Sequence, residues 1–225
     1  MPDPAELPNV HVIDHPLLAH MLGLLRDRRT RPPRFREMVA EIGGLLAYEA
    51  TRDLEVDTIS VQTPLEESSA SRVRKPITIV PILRAGLGFS VGMHRLIPYA
   101  SMGHIGMFRD EEKLSPVGYY ENLPPNIAGA SVLLADPMLA TGGSAVAAVE
   151  LLHQRGCTDV RFICLIAAPE GIEKLSEEHP DVPIFTAAID RQLDDRGYIM
   201  PGLGDAGDRI FGTSDQDDPS TAANS

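Results

Sequence analysis

The residues with the clearest chemical potential follow one short apolar run. The run at residues 131–135 leads into Asp136, a loop with two glycines at 142–143, and a helical pattern that begins near Ser144. The free N–H groups of a first helical turn and the positive end of the helix dipole bind anions, and glycines let the chain approach an oxygen closely. Thr141 and Ser144 add hydroxyl donors. We expect this loop to hold a phosphate group.

Asp136 indicates a second half of the same site. A carboxylate does not bind that phosphate, because like charges repel, but at a strand end it accepts hydrogen bonds from a ribose diol. Phosphate on one side and diol on the other describe a 5-phosphoribosyl group. A plain structural alternative makes Thr141 or Ser144 a helix N-cap and the glycines a turn. A nucleoside triphosphate P-loop is excluded, since its Gly-x-x-x-x-Gly-Lys-Ser/Thr spacing does not occur.

Short apolar runs alternate with helical patterns along most of the chain, and they must position these residues. The expected strands are 77–83, 101–108, 131–135, 160–168 and 182–189, and the expected helices are 16–27, 34–51, 87–96, 144–155 and 170–179. This order predicts an α/β fold with a parallel sheet that is covered by helices on both faces. Ligands of such sheets bind beyond the carboxyl ends of the strands. The expected site positions therefore follow Leu83, Phe108, Ala135 and Ile189.

Three segments interrupt the alternation. Residues 60–75 are polar and serine-rich, and we expect an exposed, mobile excursion there. Residues 111–125 contain Pro116 and a tyrosine pair, which is typical of a hairpin, so we expect a flap over the site at about 109–125. The acidic tail at 213–225 has no Lys, Arg or large aliphatic residue, which predicts disorder. Residues 1–212 are then expected to form one domain.

Composition narrows the class of protein further. The 225 residues carry a formal net charge of -12, which disfavours nucleic acid as a main partner. Two cysteines give no disulfide framework and fit a reducing compartment. The first ten residues do not read as a signal peptide, and the longest apolar run, 162–168, is far shorter than a membrane span. We expect a cytoplasmic protein that binds neither nucleic acid nor membranes.

Four motifs in this sequence resemble those of the uracil phosphoribosyltransferase family, within the type I phosphoribosyltransferases. They are Asp136-Pro-Met-Leu-Ala-Thr-Gly-Gly-Ser144, Pro81-Ile-Leu-Arg-Ala-Gly-Leu-Gly88, Ala167-Ala-Pro-Glu-Gly171 and the glycine-rich run at 197–208. The likeness extends over about residues 11–212, with the excursion at 60–75 and the tail outside it. The resemblance implies a phosphoribosyltransferase-type core and a glycosyltransferase reaction in pyrimidine salvage, in which uracil and phosphoribosyl diphosphate (PRPP) give UMP and diphosphate.

The resemblance also implies which residues bind PRPP. They are Arg84, Arg109, Asp136, Pro137, Met138, Leu139, Ala140, Thr141, Gly142, Gly143, Ser144 and Asp205. Arg84, Asp136 and Asp205 are the expected catalytic residues. The two arginines follow predicted strands, and a guanidinium fork suits two oxygens of the leaving diphosphate. The alternative for each arginine is an exposed salt bridge.

Uracil is expected to bind at a loop formed by residues 197–208. Its O2, N3–H and O4 offer acceptor, donor and acceptor, which main-chain groups can pair, and the family holds its base at positions matching Ile199, Gly204, Asp205 and Ala206. Cytosine reverses part of this pattern and would leave buried polar groups unpaired. The alternative is a glycine-rich surface turn. Residues 202–207 also match the dinucleotide fingerprint Gly-x-Gly-x-x-Gly, but only eighteen residues follow, too few for the βαβ unit it requires.

The resemblance implies Mg²⁺ as cofactor, carried by PRPP with no direct protein ligand expected. Relatives in other base salvage enzymes have two adjacent acids where this chain has Asp136-Pro137, so a second metal ligand there is not expected. No residue stands out as a general base, and His104 fits a core or interface position better. The family further implies a homodimer or higher homo-oligomer, and some relatives make GTP a candidate activator.

Two rival functions stay open at this stage. A regulator with the same site that binds RNA would need a basic face, which the acidic composition disfavours. A dinucleotide-binding dehydrogenase would need the glycine run at 86–92 to be a true fingerprint, although that run is one residue too long.

Overall fold

The computed structural model describes residues 8–109 and 116–213. The expected tip of the flap and nearly all of the expected disordered tail therefore lie outside the described residues. The described chain forms an α/β fold around one large, mostly parallel sheet, as the sequence predicts.

The large sheet has the strand order β1-β11-β10-β8-β4-β6-β7, with β5 beside β4 and β9 beside β10. Its strands are β1 (Val10–Val12), β4 (Ile77–Leu83), β5 (Ser101–Met102), β6 (His104–Arg109), β7 (Pro116–Asn122), β8 (Ser131–Ala135), β9 (Met138–Leu139), β10 (Val160–Ala167) and β11 (Ile184–Ile189). All pairings are parallel except that of β6 with β7. Strands β6 and β7 lie on either side of the undescribed tip and pair antiparallel, as the two strands of the expected hairpin would.

Helices cover both faces of this sheet. They are α1 (Pro16–Arg26), α2 (Pro32–Ala50), α3 (Ala85–Leu96), α4 (Gly143–Gln154), α5 (Pro169–Glu178) and α6 (Ala206–Phe211). Prolines open α1, α2 and α5 within their first turn, where a missing N–H costs no helical hydrogen bond. Helices α1, α2, α3 and α6 share one core cluster, and α4 and α5 share the other.

Side chains of the central strands point alternately to the two faces of the sheet, so they contribute to two different cores. Ile77 and Ile79 of β4 join the α1–α3 core, whereas Val80 and Ile82 join the α4–α5 core. The sheet is therefore buried on both faces, and its loops at the carboxyl ends of the strands are left to form a site.

The polar segment at 60–75, where we expect an exposed, mobile excursion, has regular secondary structure over most of its length. It lies in an antiparallel hairpin of β2 (Val56–Gln62) and β3 (Glu67–Val73), paired without interruption from Val56↔Val73 to Gln62↔Glu67. Neither strand buries a residue, so no apolar alternation marks them in the sequence. The segment is exposed, as expected.

The expected strand at 101–108 is two strands. Gly103 separates β5 from β6, and its N–H donates to the Ile79 carbonyl at 2.9 Å. A Cβ at residue 103 would lie 2.8 Å from the Leu123 side chain, so glycine permits this close approach.

Candidate active site

The loop after β8 leads directly into α4. Gly142 is the N-cap of α4 and has φ of +76°, a left-handed conformation that side chains disfavour. The first N–H groups of α4 have no acceptor within the helix, because helix hydrogen bonds begin one turn later. These free N–H groups lie at the carboxyl edge of the sheet, where the sequence predicts an anion site, and that site stays a prediction.

Gly171 of α5 packs against the backbone of this loop. A Cβ at residue 171 would lie 2.4 Å from the Ala140 carbonyl oxygen and 2.8 Å from that of Leu139. A Cβ on Gly142 would in turn lie 2.9 Å from the Gly171 oxygen. The backbone of α5 thus lies directly against the loop. This close contact is a physical reason for glycine at residue 171, the last residue of the 167–171 motif.

Pro137 and Leu139 have a different position from the other expected PRPP residues. The Pro137 carbonyl accepts the Leu165 N–H at 3.0 Å, and the Leu139 carbonyl accepts the Ala168 N–H at 2.9 Å. The Leu139 side chain is buried in the α4–α5 core. These two residues fasten the loop to β10, while Met138 and Ala140 line the cleft in front of it.

Asp136 lies at the end of β8, at the floor of the cleft. Its Oδ1 accepts the Met138 N–H at 3.3 Å. Burial raises the pKa of Asp136 to about 7, although the hydrogen bond from Met138 acts in the opposite direction. The carboxyl group is thus poised to lose its proton when polar or cationic groups approach it.

Arg84 follows β4 and is the N-cap residue of α3. Its side chain is 63% exposed, and its Nη2 lies 3.6 Å from Asp208 Oδ1, so the arginine reaches toward α6. Gly86 lets this turn pack against β8, since a Cβ there would lie 2.4 Å from the Ala135 oxygen. Arg109 ends β6, and its side chain lies outside the described part of the structure.

The expected base-binding loop at 197–208 contains β13 (Ile199–Met200), which pairs with β12 (Gln192–Leu193) before the loop, and the start of α6. Ile199 is buried, and Gly204 has φ of +78°. Asp205 is the N-cap of α6, where its Oδ1 accepts the Asp208 N–H at 2.9 Å. The Gly-x-Gly-x-x-Gly run at 202–207 therefore ends in a six-residue helix. No strand of the described chain follows that helix, so it builds no dinucleotide-binding βαβ unit.

One cleft of about 300 Å³ brings these segments together. Its described lining residues are Arg84, Ala85, Asp136, Met138, Ala140, Gly197, Tyr198, Ile199, Gly204, Asp205, Ala206 and Gly207. The residues from 141 to 144 continue the same loop into α4. The cleft combines a guanidinium, which suits phosphates, with a loop whose main-chain groups suit a flat polar base, and Ala140 in its lining precedes the N-terminus of α4 by three residues.

Sequence reasoning missed two contributions to the site. Tyr198 lines the cleft with a 45% exposed ring, and its signal was an aromatic residue inside the glycine-rich run. Asp190, the residue directly after β11, is buried and pairs with Arg26 instead of facing the cleft. The rule that inspects strand ends identifies Asp190, but only the structure shows its partner.

The acids of the cleft bear on how a divalent cation would bind. Within the described residues, no three His, Cys, Asp or Glu side chains are grouped to hold a metal ion. Asp136 and Asp205 both line the cleft, and carboxylate oxygens are the ligands Mg²⁺ prefers. Two separated acids fit an ion that is held mainly by a bound diphosphate.

Other observations bear on the class of protein. No described helix combines the length and the apolar character needed to cross a membrane. Cys157 and Cys164 are both buried and free, and burial raises the pKa of each thiol, to about 12 for Cys164. His104 lies in β6, is partly buried, and is not among the described residues that line the cleft.

The chain matches the uracil phosphoribosyltransferase family model over residues 12–213. That range includes the hairpin at 56–73, which the motif comparison left partly outside. Among similar relatives, uracil phosphoribosyltransferases of Macrococcus caseolyticus and Staphylococcus epidermidis are 53% and 54% identical over 205 residues. Each alignment covers 91% of this chain and 98% of the relative.

Solved structures agree on the fold. The AQ2163 protein of Aquifex aeolicus is 37% identical, with a TM-score of 0.87 over 91% of this chain and 99% of that one. An adenine phosphoribosyltransferase of Trypanosoma brucei, at 14% identity, reaches a TM-score of 0.56 over 85% of this chain and 87% of that one, which is a likeness of fold.

The parallel sheet, the loop before α4 and the cleft beside it define a phosphoribosyltransferase-type fold. Within that class, the match over 12–213 and the identities above 50% show the particular branch. The chain belongs to the uracil phosphoribosyltransferase family.

Proposed function

We propose that this cleft carries out the reaction of its family as follows. The chain is a glycosyltransferase, a uracil phosphoribosyltransferase that converts uracil and PRPP to UMP and diphosphate. The steps below assign parts of that reaction to particular residues.

The loop from 136 to 144 holds the 5-phosphoribosyl group. The N–H groups at the start of α4, with the Thr141 and Ser144 hydroxyls, bind the 5-phosphate. Asp136 accepts hydrogen bonds from the ribose diol on the opposite side. Because binding of the diol and of a cation stabilises the carboxylate, PRPP lowers the pKa of Asp136 from its value of about 7. The carboxylate then lies near the ribose ring, where positive charge develops in the transition state.

Arg84 and Arg109 stabilise the departing diphosphate. Arg84 is 63% exposed at the cleft and its described ion pair, with Asp208, is long at 3.6 Å, so the guanidinium is available to an incoming anion. Bound with PRPP, Mg²⁺ would neutralise the leaving group and retain most of its waters, with Asp136 and Asp205 as the nearby acids.

The loop at 197–208 holds uracil through its main chain. Ile199, Gly204, Asp205 and Ala206 line the cleft opposite the phosphate loop, and the Tyr198 ring offers an apolar surface to the base. Main-chain N–H and C=O groups pair the acceptor–donor–acceptor edge of uracil, and cytosine would leave some of them unpaired. The observation that supports this proposal is the cleft that Asp136, Met138 and Ala140 of the loop after β8 share with the segment from Gly197 to Gly207.

The first test measures conversion of labelled uracil to UMP with and without PRPP and Mg²⁺. We expect turnover only with both, none with cytosine or purines, and a loss of about 10²- to 10³-fold in kcat for Arg84→Ala. Arg155→Ala is the matched control, since Arg155 pairs with Glu121 away from the cleft and should leave kcat unchanged. Robust turnover of orotate or hypoxanthine instead of uracil would contradict the assignment.

Several further expectations belong with this function. We propose that residues 1–212 act as one catalytic domain, that the β6–β7 hairpin serves as the flap, and that the protein works in the cytoplasm as a homodimer or higher homo-oligomer. GTP is a candidate activator, and its addition to the uracil assay tests this directly. Sedimentation at assay concentrations measures the oligomeric state.

A further inference from the structure

A buried charge pair holds the turn that follows β13. Arg26, the last residue of α1, donates from Nη1 to Asp190 Oδ2 at 2.7 Å and from Nη2 to Asp190 Oδ1 at 2.5 Å. The Asp190 side chain is only 4% exposed. Two parallel hydrogen bonds between an arginine and a carboxylate fix the relative orientation of both groups. Neither residue is among the described residues that line the cleft.

The same pair fixes both polar main-chain groups of Gly202. The Gly202 N–H donates to Asp190 Oδ2 at 2.9 Å, and its carbonyl accepts from Arg26 Nη1 at 2.8 Å. Gly202 has φ of +62°, and a Cβ there would lie 2.0 Å from the Ile199 oxygen. The chain therefore turns tightly at Gly202, and the charge pair holds that turn to α1.

Gly202 lies within the segment that we assign to base binding, between Ile199 and Gly204. The run from 197 to 207 contains four glycines, which give the free backbone many accessible conformations. Recognition by main-chain groups requires that these groups be fixed before the ligand binds, because ordering them afterwards costs affinity. A glycine-rich loop that recognises a base thus needs an anchor outside the loop.

Arg209 provides a second attachment of this segment to the same helix end. Its Nη1 donates to the Leu203 carbonyl at 2.7 Å and to the Leu25 carbonyl at 2.6 Å, and its Nη2 donates to the Asp27 carbonyl at 2.8 Å. The carboxyl end of α1 therefore holds the loop on both sides of Gly204.

We propose that Arg26 and Asp190 are positioning residues that set the affinity for uracil. By fixing Gly202, they hold the main chain of residues 204–206 in the geometry that pairs with the edge of the base. The inference rests on the proposed base-binding role of that loop. Asp205 is the one residue of 204–206 that is also expected to bind PRPP, and the phosphate loop lies on α4 and α5, so the pair should influence uracil binding far more than PRPP binding.

The test compares Arg26→Ala with Arg29→Ala in the full-length enzyme. Arg29 also forms an ion pair near the end of α1, with Asp27, but it is 85% exposed. We expect the KM for uracil to rise about tenfold or more in Arg26→Ala, with the KM for PRPP within about twofold of the wild type. Arg29→Ala should leave both constants unchanged.

Chemical rescue separates positioning from general stability. The Arg26 side chain is 25% exposed, so free guanidinium can reach the space that the substitution vacates. Millimolar guanidinium chloride should lower the KM for uracil of Arg26→Ala and leave Arg29→Ala unaffected. If Arg26→Ala fails to fold, Arg26→Lys is measured in the same way; it keeps the charge but loses the bidentate fork, and the uracil KM should again rise selectively.

The outcomes distinguish the proposal from its alternatives. Unchanged constants, or equal increases in the KM for uracil and for PRPP, would overturn the positioning role and leave a stabilising ion pair. A wild-type enzyme that fails to use uracil would instead overturn the proposed function, whatever the variants do.

Discussion

Asp136 combines a functional position with an unfavourable environment. Burial raises its pKa from 3.8 to about 7, which means that the folded protein disfavours the charged form. Between these two pH values the folded state binds more protons than the unfolded state, so the contribution of Asp136 to stability falls as pH rises and is constant above about pH 7. The proposed ribose ligand is therefore also a site of strain in the free enzyme.

Replacing Asp136 with asparagine should stabilise the free protein at alkaline pH. Asparagine keeps an oxygen for the Met138 N–H and carries no charge, so the gain in the free energy of unfolding should be about 2–4 kcal/mol at pH 8 and vanish near pH 4. Urea unfolding at both pH values measures it. The same variant should lose most uracil turnover.

Asp159 provides the opposite control. Partial burial raises the pKa of Asp159, but the hydrogen bond from the Ser131 hydroxyl and the charges of Arg161 and Lys75 together lower it by more. The net effect is a pKa below the usual value for aspartate. Asp159→Asn should therefore destabilise the protein at pH 8. If Asp136→Asn increases the free energy of unfolding equally at pH 4 and pH 8, the burial of a charge is not the cause of that increase.

Among the elements, α5 contributes to the site without touching the substrate directly. Its first turn lies against the phosphate loop at Gly171, and the Glu170 carboxylate accepts the Leu193 N–H of β12 at 3.0 Å. The helix thus contacts both the proposed donor side and the hairpin of the proposed base side. This explains why the 167–171 motif is part of the family likeness although none of its residues was assigned to a ligand.

Gly171→Ala should displace the phosphate loop. The added methyl group would lie 2.4 Å from the Ala140 oxygen, so the loop must move, and kcat/KM for PRPP should fall about 10- to 100-fold. Steady-state kinetics with PRPP varied measures this. Gly23→Ala in α1 is the control, because no atom lies within 4 Å of its added Cβ, and activity should be unchanged. Wild-type kinetics in Gly171→Ala would show that the loop tolerates the shift.

The long elements could be predicted from the sequence because their apolar residues must face a core. Strands β4 and β8 have the predicted limits, and the ends of α1 to α5 differ from the predicted ends by at most two residues, whereas the short helix α6 was not predicted. Elements without buried periodicity were missed: β1 has three residues at the sheet edge, β12 and β13 have two each, and the β2–β3 hairpin buries none. Local motifs predicted both halves of the cleft, whereas the Arg26–Asp190 contact joins residues 164 apart and has no local signal.

Across the whole molecule, a few polar contacts join layers that are otherwise held by apolar packing. Arg161 of β10 is buried and donates to the Ala50 carbonyl at the end of α2 at 2.5 Å and to the Asp53 carboxylate. Its Nε also approaches Asp159 at 3.4 Å. One guanidinium therefore ties the central strand to the helix that packs on it and to the following turn.

Arg161→Ala should cost about 2–4 kcal/mol of unfolding free energy, since it removes the donor to the carbonyl of buried Ala50 and one of the partners of the partly buried Asp159 carboxylate. Arg155→Ala, which removes an exposed pair with Glu121, should cost at most about 1 kcal/mol. Urea unfolding of the two variants makes the comparison. Equal losses of unfolding free energy in the two variants would show that burial does not determine how much these ion pairs stabilise the protein.

The two helical layers bear mainly on different parts of the proposed site, although Met138 and Ala140 of the phosphate loop also pack against the α1–α3 core. The anion loop rests on α4 and α5, on one face of the sheet, while the loop for the nucleobase packs with α1, α2 and α6, on the other. Divergence in the second layer can thus alter which heterocycle is accepted while the grip on the sugar ester is inherited intact. Such a division offers one ancestral scaffold a simple evolutionary route to enzymes for different bases.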